Sequence, residues 1–462
     1  MLALVSLLLL SCAQALLQPN QYFTIGHPAL VRTRLDPIVL PGQVSSHVHN
    51  IVGSSAFSEN LDFDKARSGK CSTSFIQADM SNYWVPQLYY KYKNGTYYAI
   101  QGDGLVAYWK FSYDQPSETF AVVPDDFRML GGNISRDFFD KSIPSHDAVS
   151  FECLGGGGGD ERLSWIPADR ECETIRPQVF FPSCWNGKDA FLPDNSHVAY
   201  PLERFEGGPC PDGFQRIPNL FLEAYYKVKM NVPNYEWYPG CLVLANGDNF
   251  GLTFHGDWQN GWPKGMLVEA NEKCRLPGTV DGCSIFEASR DEKKANDCRT
   301  EGSIVNEPIG LTTPLSKLPG NNPEFNSSRL STDHPKKQMQ LAYTEKSRVI
   351  PIPIDGSGSC NSNFPRKCSD YNGATGGGDA MPPAGDTPTT GGMMSIQTVP
   401  NPVASKEMTP MAPSASAPSG TSKPAGSMVA NPTKGRGKAP TATGKHCSAR
   451  AGKKRSRAAP KQ

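Results

Sequence analysis

His47 and His49 stand two residues apart in Ser46-His47-Val48-His49-Asn50, and on an extended segment that spacing projects both imidazoles from one face. Two neutral imidazoles so placed make a bidentate clamp for a transition-metal ion. Two more histidines stand beside carboxylates, His197 in Asp194-Asn195-Ser196-His197 and His255 in His255-Gly256-Asp257-Trp258. His47, His49, His197 and His255 are the candidate ligands of one Zn or Cu ion, with Asp257 completing a mixed nitrogen and oxygen set that leaves room for water or substrate. Asp79, Asp194 and Asp257 are the candidate catalytic acids or bases, and Glu223 is a further carboxylate available to orient a ligand. A plainer reading competes with this one: Asp194 and Asp257 cap turns, Gly256 and Gly261 serve backbone geometry, and the histidines make fixed hydrogen bonds in a core. Tyr83, Trp84 and Trp258 are candidate ligand-binding residues, because sugar rings present apolar faces that stack on aromatics, although aromatics are also the default core of a β domain.

The elements that must position these residues read as strands. Trp84–Tyr92, Thr96–Ile100 and Leu105–Lys110 are short runs rich in aromatic and β-branched residues, and Asn94-Gly95 between the first two supplies a tight hairpin turn. Pro86 belongs at an edge or at the start of its strand. Leu220–Lys229 reads as a strand or a short helix, and long amphipathic helical patterns are scarce. The fold class is therefore all-β or β-dominated, a single sandwich-like domain with long disulfide-stapled loops and a disordered C-terminal tail.

Composition supports that organisation. Thirteen cysteines, at wide and irregular spacings with no CxxC, read as disulfides of an oxidising compartment rather than a thiolate metal centre. The chain opens on the apolar run Met1–Leu10 followed by Ala13-Gln14-Ala15, a secretory signal with cleavage near residue 15; a lipobox ending at Cys12 is the rival reading. Asn94, Asn133 and Asn326 head glycosylation tripeptides. Residues 16–325 read as the folded domain, 326–369 as an extension stapled to it through Cys360 and Cys368, and 370–462 as disordered, since Gly, Pro, Ser and Thr dominate and no aromatic follows Tyr371. Ten Lys/Arg and no Asp or Glu stand between Lys434 and Gln462, which leaves a net charge of about −9 on the rest of a chain whose total is +1. Such an end contacts polyanions; no specific nucleic-acid binding and no membrane span are expected. GxSxG, HExxH, kinase and Rossmann signatures are lacking, and Gly155–Gly159 lacks the Lys-Ser/Thr of a phosphate loop.

Five separated fragments occur in one order: Ser46-His47-Val48-His49-Asn50, Ser81-Asn82-Tyr83-Trp84, Phe181-Pro182-Ser183-Cys184-Trp185, His197-Val198-Ala199-Tyr200-Pro201 and His255-Gly256-Asp257-Trp258-Gln259-Asn260-Gly261-Trp262. Over about residues 30–325 the chain resembles a family of secreted fungal proteins catalogued as a domain of unknown function, some of whose members are joined to WSC-type carbohydrate-binding modules. The resemblance implies a fungal secreted protein acting at a cell wall and brings no established reaction. Where the family is expected to read Leu-Pro-Gly-Cys-Asn-Pro, this chain has Leu318-Pro319-Gly320-Asn321-Asn322-Pro323, which leaves a partner thiol, Cys298 or Cys283, unpaired.

Taken together, the expected function is a secreted, extracellular or wall-associated protein that binds or acts on cell-wall or plant polysaccharide through a His/Asp cleft. One alternative is a metal-dependent extracellular enzyme of unassigned reaction, and another is a structural wall protein. The sequence names no reaction and leaves open whether the chain is an enzyme.

Overall fold

The computed structural model describes residues 21–111, 119–156, 161–274, 276–305, 307–324 and 349–351. The segment read as a signal, Cys360 and Cys368 expected to staple the extension, the low-complexity tail and its basic end lie outside the described residues.

Two antiparallel sheets pack face to face. One has five strands in the order Val31–Leu35, Val44–Gly53, Asn82–Pro86, His255–Gln259, Arg128–Gly132. The other has six, in the order Pro277–Gly278, Gln21–His27, Leu105–Phe111, Asn219–Ala224, Thr174–Phe180, Val149–Leu154, with only the short Pro277–Gly278 pairing parallel. Side chains that alternate inward fill the space between them: Val52, Tyr83, Val85, Met129 and Trp258 from the first sheet meet Phe23, Trp109, Leu220, Leu222 and Val179 from the second. Trp109 and Trp258 lock the two layers edge to face, with centroids 5.2 Å apart.

The same alternation sends Val31, Ile51 and Trp84 to the outer face of the five-stranded sheet. A second core forms there, closed by Phe57, Leu61, Ile304 and Val305. The segment carrying the last two is tied down by Val305 N–H donating to Thr33 Oγ1 (2.9 Å), by the Arg34–Glu307 ion pair (2.6 Å) and by Asn322 Nδ2 donating to the Ser46 carbonyl (2.7 Å).

The architecture is β-dominated, as the residue patterns predict, and the longest described helix is the eight-residue Met266–Lys273. No helix among the described residues is long and apolar enough to cross a membrane. The Asn94-Gly95 turn joins Leu88–Lys91 to Tyr97–Ala99, with Gly95 at φ 86°. The run Trp84–Tyr92 is not one strand. Pro86, which has no N–H to continue a ladder, ends Asn82–Pro86 opposite His49, and Leu88–Lys91 pairs in a different sheet.

Four disulfides join Cys71–Cys298, Cys153–Cys172, Cys184–Cys210 and Cys274–Cys283. Cys298 and Cys283 are thus both paired, contrary to the expectation from the departure at Asn321, and the free thiol among the described residues is the buried Cys241.

Candidate metal centre

His47 and His49 lie on the outer face of Val44–Gly53 because they share the parity of Ile51. His255 reaches the same face two strands away: Trp84 pairs with Ile51 on one side and with Asp257 on the other, which puts Asp257 and His255 in register with that face. Gly256 between them faces the six-stranded sheet so closely that a Cβ would stand 2.9 Å from both Phe181 and Val179. The His-Gly-Asp order therefore carries two outward polar side chains across a point where the layers need a residue without one.

The result is a buried histidine triad. One ligand atom from each of His47, His49 and His255 lies within 4.8 Å of the others, and the ring centroids are 4.3, 5.3 and 5.9 Å apart. Exposure is 1 % for His47, 0 % for His49 and 2 % for His255. His49 Nδ1 lies 2.9 Å from the Leu35 carbonyl and His255 Nδ1 2.8 Å from the Thr253 carbonyl. A carbonyl only accepts, so each Nδ1 carries the proton and each Nε2 is left as a bare lone pair. His47 Nδ1 meets the Ser46 hydroxyl at 3.0 Å. All three Nε2 atoms are buried without a hydrogen-bond partner.

Electrostatics keeps these rings neutral. Burial pushes the His49 and His255 imidazoles down to about 3 and about 4, and His47 falls well below its ordinary value through burial, reinforced by the charges His49, His255 and Arg34 would carry. Asp257 stands beside the triad, its Oδ2 3.8 Å from His255 Nε2 and both its oxygens without a hydrogen-bond partner. Burial, and then the neighbouring Asp36 carboxylate, raises it well above the usual carboxylate range. Asp36 is itself pushed up to about 6 by burial, against the Val39 and Ile38 amides that donate to its Oδ1. Three neutral nitrogens with an adjoining carboxylate form a donor set suited to Zn²⁺ or Cu²⁺.

The remaining candidates lie elsewhere. His197 does not join the triad: Nε2 donates to the Arg128 carbonyl at 2.8 Å, Nδ1 accepts from the Leu192 amide at 3.3 Å, and the ring packs against Phe127 and Phe191. Arg128 is paired with Gln259 while His255 is paired with Gly132, so His197 sits toward the far end of the strand. Asp194 caps its own turn, accepting from Ser196 N and Oγ at 3.1 and 2.6 Å. Asp79 is buried in the other core, accepting from Ser81 N–H (3.0 Å) and Tyr83 O–H (2.9 Å) and facing His27 at 3.8 Å. Glu223 accepts from Tyr108 and Tyr225 on the six-stranded sheet. Tyr83, Trp84 and Trp258 are 0 %, 0 % and 1 % exposed, so these rings stack in the two cores and present no face to a sugar.

Asp36 escaped sequence reading because no motif marks it; it becomes part of the site only when the Asp36–Leu40 turn folds over the sheet. The supporting carbonyls of Leu35 and Thr253 are equally silent, since every residue has one.

The fold and site define a class of protein: a disulfide-linked antiparallel β-sandwich with a histidine triad enclosed on the outer face of one sheet. Residues 36–262 match the family described as "Domain of unknown function (DUF1996)", and this part of the chain belongs to that family. The match opens on Asp36 and includes the three histidines and Asp257, whereas the covering segment around Val305–Asn322 lies beyond it. No curated protein and no solved structure matches the chain.

Proposed function

We propose that this domain is an extracellular metal-binding module that holds one zinc or copper ion at the Nε2 atoms of His47, His49 and His255. The observation that carries the reading is the convergence of three buried Nε2 atoms without hydrogen-bond partners, two of them lone pairs fixed by backbone carbonyls. Lone pairs facing one another in a dry site repel, and a cation removes that repulsion. Zn–N bonds of ~2.0–2.1 Å require the rings to draw together somewhat, which side-chain rotation supplies. Asp257 is the nearest further oxygen ligand.

A metal-dependent enzyme is the second reading, favoured by Asp257 and Asp36, two carboxyls next to the ion's position that hold protons more tightly than usual. Its substrate would be small, because the triad is enclosed. A polysaccharide partner, expected from the sequence at a wall, would bind the exterior of the domain rather than the His/Asp set. Polyanion contact belongs to the basic end and rests on composition alone.

Elemental analysis of the full secreted chain tests the metal reading. About one equivalent of zinc or copper is expected after dialysis, retained in His197→Gln and lost in His49→Gln and His255→Gln. Wild-type protein that stays metal-free after exposure to both ions sinks it.

A further inference from the structure

Arg32 is a buried cation without a counter-ion. Its guanidinium is fully enclosed, at 0 % exposure. Nε donates to Gln87 Oε1 at 2.9 Å and Nη2 to the Gly102 carbonyl at 3.0 Å, both neutral acceptors, and Nη1 has no partner. Arginine does not shed its proton in proteins, so the charge persists although burial works against it. The carboxylate that acts on Arg32 from outside is Asp103, which is half exposed and engaged with Lys227 at 2.6 Å. An enclosed charge is strongly destabilising unless it is compensated.

Directly across the ladder from Arg32 stands Asn50. Residues opposite each other on neighbouring strands share a face, with Cβ atoms roughly 5 Å apart. Asn50 is also 0 % exposed, and apart from the neighbouring Tyr226 phenol its amide has no polar group to pair with. The Tyr226 phenol lies near both side chains, interacting with Asn50 and the Leu88 backbone and standing 3.5 Å from the Pro86 carbonyl. Three donor groups, one of them charged, therefore gather on the inner face of the five-stranded sheet, opposite to the histidine face. Gly102, whose carbonyl holds Nη2, also lines a cleft of about 400 Å³ with His27 and Tyr225.

We propose that Arg32 and Asn50 form a site for one small monovalent anion, a halide or a simple carboxylate, which neutralises the guanidinium and accepts from Nη1 and Nδ2. A water molecule would satisfy the hydrogen bonds but not the charge. The site is independent of the histidine triad, and its failure leaves the metal reading untouched.

The test is the thermal midpoint of the full secreted chain at fixed pH and ionic strength in sodium chloride, sodium formate and sodium gluconate, the last anion being too large to enter. The expected result is a saturable rise of about 3–6 °C in chloride, formate or both over gluconate. A response to chloride alone identifies a halide site, and a response to formate extends it to carboxylates. Asn50→Asp, which places a carboxylate opposite Arg32, should fold and lose the response. Crystals of the wild type grown in bromide keep the proposal testable without any variant: an anomalous peak within hydrogen-bond reach of Arg32 Nη1 and Asn50 Nδ2 supports it. Equal midpoints in all three salts, or a water only at that position in the bromide crystals, overturns it.

Discussion

His49 and His255 are separated in the sheet by a complete strand, Asn82–Pro86, yet their rings stand 5.9 Å apart and nearly perpendicular, at 82°. Each is steered by a backbone carbonyl on Nδ1, Leu35 for one and Thr253 for the other, which leaves Nε2 of both as the atom available to the cluster with His47. Orienting a ligand through its second nitrogen is how metal-binding imidazoles are generally held.

An ion bound there couples to folding, because it ties Val44–Gly53 to His255–Gln259. Removing it with a chelator should lower stability by about 2–3 kcal/mol when the ion was present at roughly a hundred times its dissociation constant. The thermal midpoint before and after chelation, with restoration by zinc or copper, measures this. In His49→Gln the midpoint should no longer respond to either treatment.

Trp84→Ala and Trp258→Ala should each cost roughly 3–5 kcal/mol, because both rings are fully enclosed and leave large cavities. Denaturant unfolding reads the loss. If the protein is retained on insoluble polysaccharide, these variants should lose retention only in proportion to the unfolded fraction. Selective loss by a fully folded Trp258→Ala would mean that the ring is reachable by a sugar after all.

Asp79 gives a distinct pH signature. Burial raises its carboxyl to about 7 in the folded state, from an ordinary value of 3.8. The folded protein therefore holds this proton more tightly than the unfolded chain, so stability declines as pH climbs from about 4 through about 7 and levels off above. Asp79→Asn removes that decline, and its midpoint relative to wild type should rise from about pH 4 to about pH 7 and level off above. On the acid side His27, driven down to about 3 by burial, acts in the opposite sense, and its contribution to stability falls as pH drops below 6.5 toward 3. A difference between the two proteins that is flat with pH would contradict the account of Asp79.

The cysteines make a chemical prediction. Alkylation of the denatured but unreduced protein should label Cys241 and leave Cys71, Cys283 and Cys298 unlabelled, as peptide mass analysis would show. The Cys71–Cys298 bridge spans 227 residues, so Cys71→Ala with Cys298→Ala should cost about 2–5 kcal/mol, more than opening the nine-residue Cys274–Cys283 link.

Much of this protein is legible in its residues alone. Strand parity places His47 and His49 on one face, Asn94-Gly95 specifies a hairpin, scarce helical periodicity excludes a helical fold, and the cysteine usage announces disulfides. These are local properties, carried by a few neighbouring residues. What lies outside that reach is pairing. Trp84 looks like an open sugar platform until it is known that Phe57 packs against it edge to face, with centroids 5.4 Å apart, and His197 looks like a ligand until the Arg128 carbonyl takes its Nε2. Asp36 and Arg32 carry no motif at all. The register that sets Trp84 between Ile51 and Asp257 decides which polar side chains meet, because contacts between residues some two hundred positions apart depend on how strands pair and not on what stands beside each residue in the chain.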